Sequence, residues 1–212
     1  MAGAGIFNIV VHGKGGHGAQ PHLTTDAVLV GSAIVNALQA IVARNINPRQ
    51  TAVVTVGSFH AGNAFNVIAD TAELTGTFRS FDDETHALLM RRIREVAEHT
   101  AQALGATADV DVKAISPVTV NDAAATERVQ GVAADVLGGA QVEHEQFTMG
   151  SEDMSEFLKR VPGCYFFLGS RNDEHGFNAP HHNPHFDIDE DVMPLGVAIL
   201  AEATARYLER GV

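Results

Sequence analysis

Cysteine is all but missing from this sequence. Cys164 is the only one, which excludes an intramolecular disulfide and a cysteine-rich zinc site. Set in the apolar run 164–168, it reads as a buried structural thiol rather than a reactive one. Positive charge is scarce too. The 14 Lys and Arg face 26 Asp and Glu, for a formal net charge of -12, and the one basic run is Arg91, Arg92 and Arg94 inside a helical pattern. That balance argues against a nucleic-acid partner. Long apolar runs are lacking: even 27–35 is broken by Gly31 and Ser32, far short of a membrane span. The N-terminus has neither the basic start nor the apolar stretch of a signal peptide. A cytoplasmic protein with no membrane partner is the expectation.

What is present supports a folded chain. With 212 residues, 45% of them hydrophobic and 19% charged, it can bury one sizeable core or two small ones. Histidine is plentiful, at eleven. Five of these, His144, His175, His181, His182 and His185, fall in the last third beside many carboxylates, which raises metal binding as a question.

The first half has clear periods. Residues 6–12 form a β-rich run. Residues 26–44 carry apolar side chains at Ala27, Val30, Ile34, Ala37, Leu38 and Ile41, the three-and-four spacing of an amphipathic helix, with Thr24 or Thr25 as its cap. Strands are expected over 51–59 and 66–79, on either side of the Gly62-Asn63 turn. A helix over 83–104 ends at Gly105, and a half-exposed strand follows at 108–114. The order βαββαβ is the split pattern of a ferredoxin-like α+β sandwich.

After Ser116-Pro117 the character changes. Helices are expected over 123–137, over 151–161 with Ser151 as cap, and over 189–208. Strands are expected around 141–148 and over 163–169, the latter apolar throughout and therefore buried on both faces. Two strands and three helices cannot provide such burial, so a larger sheet or a second copy is implied. The loop 170–187, rich in His, Asn and Pro, has the length of a functional segment.

Gly13-Lys14-Gly15-Gly16-His17-Gly18 fits G-x-G-x-x-G after a strand. A dinucleotide turn is nevertheless rejected, because Pro21 and the Thr24-Thr25 cap delay the helix and strand 51–59 ends without a ribose-binding acid. The glycines instead describe a loop that holds His17 and His22 near a strand end.

Six segments in register carry a resemblance. Met1-Ala2-Gly3-Ala4-Gly5, the glycine loop continued through Ala19-Gln20-Pro21-His22, Asn66-Val67-Ile68, Glu73-Leu74-Thr75-Gly76-Thr77-Phe78-Arg79, Met149-Gly150-Ser151-Glu152-Asp153 and His182-Asn183-Pro184-His185-Phe186-Asp187 together resemble hippurate hydrolase, plant auxin-conjugate hydrolase and related aminoacylase or carboxypeptidase sequences. The resemblance implies an α/β arrangement. Residues 1–5 would link from a catalytic domain, 6–116 would form a ferredoxin-like dimerisation lid, and 117–212 would form the C-terminal portion of a metallohydrolase catalytic domain. It also implies a chemistry, in which two divalent metal ions, zinc or else manganese or cobalt, hold a water that attacks the amide carbonyl of an N-acyl amino acid or small peptide. Under it, His17 is the lid histidine that crosses a homodimer to stabilise the oxyanion, Asn66 and Arg79 hold the substrate's polar end, and His182 is a metal ligand. Glu152 and Asp153 fall in a pocket-wall segment without an assigned role. Met154 stands where that family commonly has an aromatic residue.

Blander readings exist for each. His17 could bond within its own loop, Arg79 could be a strand-end surface charge, Asn66 could satisfy a turn, and the 181–185 histidines could line a solvated loop. The remaining ligands expected from the resemblance, with the catalytic Glu, are not found in the sequence, and one histidine cannot hold two metals. A fragment inactive by itself is therefore expected, with a non-catalytic dimerisation or small-molecule-binding module as the alternative.

Overall fold

The computed structural model describes residues 1–210, which fall into two compact units. The first comprises 1–119 together with 148–156, and the second comprises 120–147 with the remainder of the chain.

In the first unit, β1 (Gly3–His12), β3 (Ala52–Ala61), β5 (Thr71–Ser80) and β6 (Thr107–Ser116) build one sheet in the order β3-β5-β1-β6. Every neighbouring pair is antiparallel. With α1 (Ala27–Asn45) after β1 and α2 (Asp83–Ala103) after β5, this is the ferredoxin-like sandwich expected from the βαββαβ order. Both helices bury one stripe in a common core. Val30, Ile34, Leu38 and Ile41 of α1 and Leu89, Ile93 and Ala97 of α2 meet Phe7, Ile9, Val11, Leu74 and Phe78 of the central strands. α1 is apolar enough in length and composition to cross a membrane, yet that stripe makes it a core helix of the sandwich.

Several details differ from the sequence reading. β1 begins at Gly3, with Ala2 and Ala4 buried, so most of the expected 1–5 link is sheet. The expected strand 66–79 divides into β4 (Val67–Ile68), which pairs with β2 (Gly16–His17), and β5 in the main sheet. Asp26, not Thr24 or Thr25, caps α1, its carboxylate accepting from the Val28 and Leu29 N–H groups at 2.9 and 3.4 Å. Gly105 does end α2, at φ 78°.

In the second unit, α3 (Ala123–Leu137), capped by Asp122, packs beside α5 (Met193–Arg210). Arg206 bridges the pair, 2.7 Å from both Asp135 and Glu202. The two expected strands are not formed. A 3-10 turn, Gly139–Gln141, opens the 141–148 region, and 163–169 is half-buried to exposed without strand pairing. A strand needs a neighbour for its N–H and C=O groups. Here the Asn121 side chain serves Tyr165, accepting from its N–H at 2.9 Å and donating to its carbonyl at 2.8 Å, and the Asp122 N–H donates to the Gly163 carbonyl at 2.9 Å. Of the expected helix 151–161, only α4 (Ser155–Leu158) is helical.

The register of the central strands is fixed by two reciprocal ring-on-glycine contacts. Gly5 lies opposite Phe78 and Phe7 opposite Gly76. A Cβ on Gly76 would sit 2.1 Å from the Phe7 ring and 2.3 Å from the Thr55 carbonyl oxygen. Gly76→Ala is therefore expected to destabilise the sandwich by about 1–3 kcal/mol, seen as a lower urea midpoint with the m-value unchanged. A midpoint equal to wild type would show that the strands absorb the methyl group.

Candidate functional site

The loop that leaves β1 and the loop that enters β5 are bound to each other. The Gly13 N–H donates to the Asp70 carbonyl at 2.8 Å, His17 lies opposite Val67, and the Gly18 N–H donates to the Asn66 carbonyl at 2.8 Å, while Lys14 and Thr25 exchange backbone bonds within the first loop. The glycines permit this approach. A Cβ on Gly13 would fall 2.2 Å from the Thr25 carbonyl oxygen, and one on Gly15 would fall 2.9 Å from that of Ile68. His17 and Asn66 are thus brought together, both exposed, on one rigid tip, with His22 nearby on the 3-10 turn Pro21–Leu23. The His17 Nδ1 accepts the Ala19 N–H at 3.0 Å. A neutral His17 therefore carries its proton on Nε2, as a free hydrogen-bond donor.

Arg79 is elsewhere. It is the penultimate residue of β5, opposite Ala4 and Val53, whereas Thr71 at the other end of the strand lies opposite His12. At about 3.4 Å per residue, β5 keeps Arg79 roughly 25 Å from the tip. The Arg79 Nη1 donates to the Ser151 hydroxyl at 2.5 Å. Residues 148–150 are tied to the same sheet end, the Ala2 N–H lying 3.1 Å from the carbonyls of Thr148 and Gly150. Ser151, expected to cap a helix, is instead the partner of Arg79. Its signal in the sequence was only its place in Met149-Gly150-Ser151-Glu152-Asp153. Glu152 and Asp153 make the turn before α4, their carbonyls accepting from Ser155 and Glu156.

His182 belongs to the loop 170–187, which has internal order. Asn172 and Phe177 form a bridge around Gly176 at φ 80°. The Asn172 amide donates to Asp189 at 2.6 Å, and the Asp189 N–H donates to the Ser170 carbonyl at 3.0 Å. The Asn172 amide, followed by the Asp191 N–H, holds the Asp189 carboxyl below the usual carboxylate range. His182 is exposed and has φ 66°, the only positive φ among described residues other than glycine. Such backbone conformations are costly and cluster at functional segments. The His181 ring meets Phe186 edge-on at 4.7 Å.

Cys164 is half-buried, and burial pushes its thiol pKa up, against a smaller lowering from a Thr126 hydrogen bond. That environment suits a structural thiol.

Residues 13–206 match Peptidase family M20/M25/M40. The chain belongs to that family. Among relatives, thermostable carboxypeptidase 2 of Saccharolobus solfataricus is 39% identical over 92% of this chain and 49% of its own length. IAA-amino acid hydrolase ILR1-like 4 of Arabidopsis thaliana is 37% identical, over 98% of this chain and 48% of its own. A solved Bacillus subtilis structure, described as a dinuclear metal binding peptidase from M20 family, superposes with a TM-score of 0.71 at 26% identity, covering 96% of this chain and 49% of that one. The resemblance read from six segments is therefore a family membership, and the family is one of hydrolases. The chain spans about half the length of the curated relatives it matches.

A two-metal centre does not fit the residues present. Among the described residues, no group of three or more His, Cys, Asp or Glu side chains converges, and dinuclear sites need more ligands than that.

The order of the M20-family loop around His182 depends on the ionised Asp189. Its depressed pKa means that the tie is present above the ordinary carboxylate range and is lost as pH falls through the lower folded value. Amide exchange over 170–189, corrected for intrinsic rates, should rise on acidification. In Asp189→Asn it should be faster already at neutral pH and lack the acid step. Identical profiles for the two proteins would refute this role.

Proposed function

We propose that this chain is the lid and the C-terminal catalytic portion of a metal-dependent, cytoplasmic amidohydrolase that cleaves the amide bond of N-acyl amino acids or small peptides. One observation carries the reading. His17 and Asn66 share a tip at one end of the sheet, while Arg79 and Ser151 meet at the other, so the two groups can act on one substrate only across two copies. Arg79 offers a planar fork to the substrate carboxylate. Asn66 brings a polar contact from the second copy, and His17 Nε2–H brings a donor for the developing oxyanion. His182 is proposed as one metal ligand of the complete site.

A homodimer through the lid follows from the same reading, and its surface can be chosen on physical grounds. Both β3 and β6 are edge strands. β6 carries Asp109, Asp111 and Lys113, the charges that discourage edge pairing, whereas β3 has no Lys, Arg, Asp, Glu or Pro over its 10 residues. α1 packs over β3 and leaves Leu29 60% and Val28 40% exposed. Pairing of β3 with its symmetry mate, flanked by α1, would be isologous.

By itself the chain is proposed to be inactive. N-benzoyl- and N-acetyl-amino acids incubated with purified chain and added zinc, manganese or cobalt should show no turnover above background. Metal-dependent turnover would overturn that statement. A second reading, a non-catalytic dimerisation or small-molecule-binding module, is favoured by the lack of convergent ligands among the described residues. Calorimetry with N-benzoylglycine separates the two. A retained substrate grip predicts binding that falls about tenfold or more in Arg79→Ala, since hydrogen bonds to charged groups are worth about 1.5–3 kcal/mol. Equal heats for both proteins favour the module.

A further inference from the structure

Phe65 is 103% exposed, more than any other large apolar side chain among the described residues. The fold does not need it there. The turn that precedes it is made by Gly62 at φ 71°, and the 64–67 turn that follows is closed by backbone, the Val67 N–H facing the Ala64 carbonyl at 3.4 Å. Neither uses a phenyl ring, and loop tips ordinarily carry small or polar residues. Val67, on the same tip and opposite His17 in the β2·β4 ladder, is also exposed, at 55%. An aromatic and a β-branched residue thus flank the polar pair His17 and Asn66 on a segment that hydrogen bonds and close glycine contacts hold rigid. Exposed apolar groups on a preordered backbone are the usual anchors of protein interfaces, because little conformational freedom is lost when they are covered.

We propose that Phe65, supported by Val67, anchors the lid tip against a second copy of this chain and so positions His17 and Asn66 beside that copy's Arg79. The inference rests on the two-copy reading given above. The occupant follows from the sheet register. Within one copy β5 holds the tip roughly 25 Å from Arg79, so a tip that serves an Arg79 site must sit on another molecule, and Phe65 is carried there next to Asn66. Phe65 is a positioning residue: its ring docks, and the polar neighbours act.

The sequence contains no tryptophan, so Phe65→Trp introduces a single indole at the anchor, excited selectively beyond the absorption of the two tyrosines. Because the side chain touches nothing in its own copy, Phe65→Trp and Phe65→Ser should both fold with wild-type thermal midpoints. In the full-length Phe65→Trp chain, the emission maximum should move to shorter wavelength with rising concentration, along the dimerisation isotherm measured by sedimentation. Phe65→Ser should weaken self-association about tenfold or more, the loss typical of an aromatic anchor, while the aromatic Phe65→Trp stays near wild type. If the chain dimerises but the Trp emission remains that of an exposed indole and Phe65→Ser dimerises as wild type, the anchor is overturned and the homodimer stands. A strict monomer at every concentration removes the homodimer and the anchor together.

Discussion

The pairing of β5 along its whole length, with β1 on one side and β3 on the other, is the constraint on which the arrangement depends. Ten consecutive residues pair with β1, and nine of them, 72–80, pair with β3 around a bulge at Gly57; a shift of one residue would turn Leu74 and Phe78 out of the core. The exchange of ring for hydrogen between Phe7 and Gly76, and between Phe78 and Gly5, adds a steric lock to the hydrogen-bond ladder. β5 therefore acts as a spacer of fixed length. One end delivers the chain to the His17–Asn66 tip and the other presents Arg79 to Ser151.

The tip shows how a loop rich in glycine can be rigid. Glycine usually signals freedom, but here Gly13, Gly15 and Gly18 mark places where a second backbone passes too close for a Cβ. The two loops share three separate sets of backbone contacts, at Gly13, the β2·β4 ladder and Gly18, and the first loop is closed on itself by Lys14 and Thr25. The exposure of His17, Asn66 and Phe65 is consequently an exposure of side chains on an ordered frame, the condition under which loop residues serve binding or catalysis.

The first unit was legible because its elements are amphipathic, and their period records which face is buried. α1, α2 and the core strands follow directly from such patterns, as does the end of α2 at Gly105. Caps were harder, since Thr24, Thr25 and Asp26 are adjacent and differ only in which oxygen reaches the first free N–H groups. The second unit was read less well for a different reason. The composition of 163–169 describes a strand with partners on both sides, but pairing is not a property of the segment, and the side chain of Asn121 is what meets the Tyr165 backbone. Ser151 was misread on similar grounds. A serine before Glu and Asp fits a helix cap, and nothing local reveals that Arg79, 72 positions away, takes the hydroxyl first. His17, Asn66, Arg79 and His182 were found by resemblance, whereas their division into a tip, a sheet end and a loop came only from the fold.

That division bears on how a site of this kind is controlled. If the proposed oxyanion donor and carboxylate grip sat side by side on the sandwich, the site would be assembled whenever the chain folded. In the proposed two-copy reading, with the two at opposite ends of β5, folding alone would yield two half-sites, and association would join them. The completed site would then depend on protomer concentration and on the dimer equilibrium by mass action. The affinity of that interface would become part of the apparent affinity for substrate, because a competent site would be populated only to the extent that the dimer is. An edge strand free of charge and a ring held at full exposure would each weaken a monomer's resistance to unspecific association. Their presence on the two surfaces that a trans-acting tip requires is intelligible if assembly, rather than folding, is the step that builds the site.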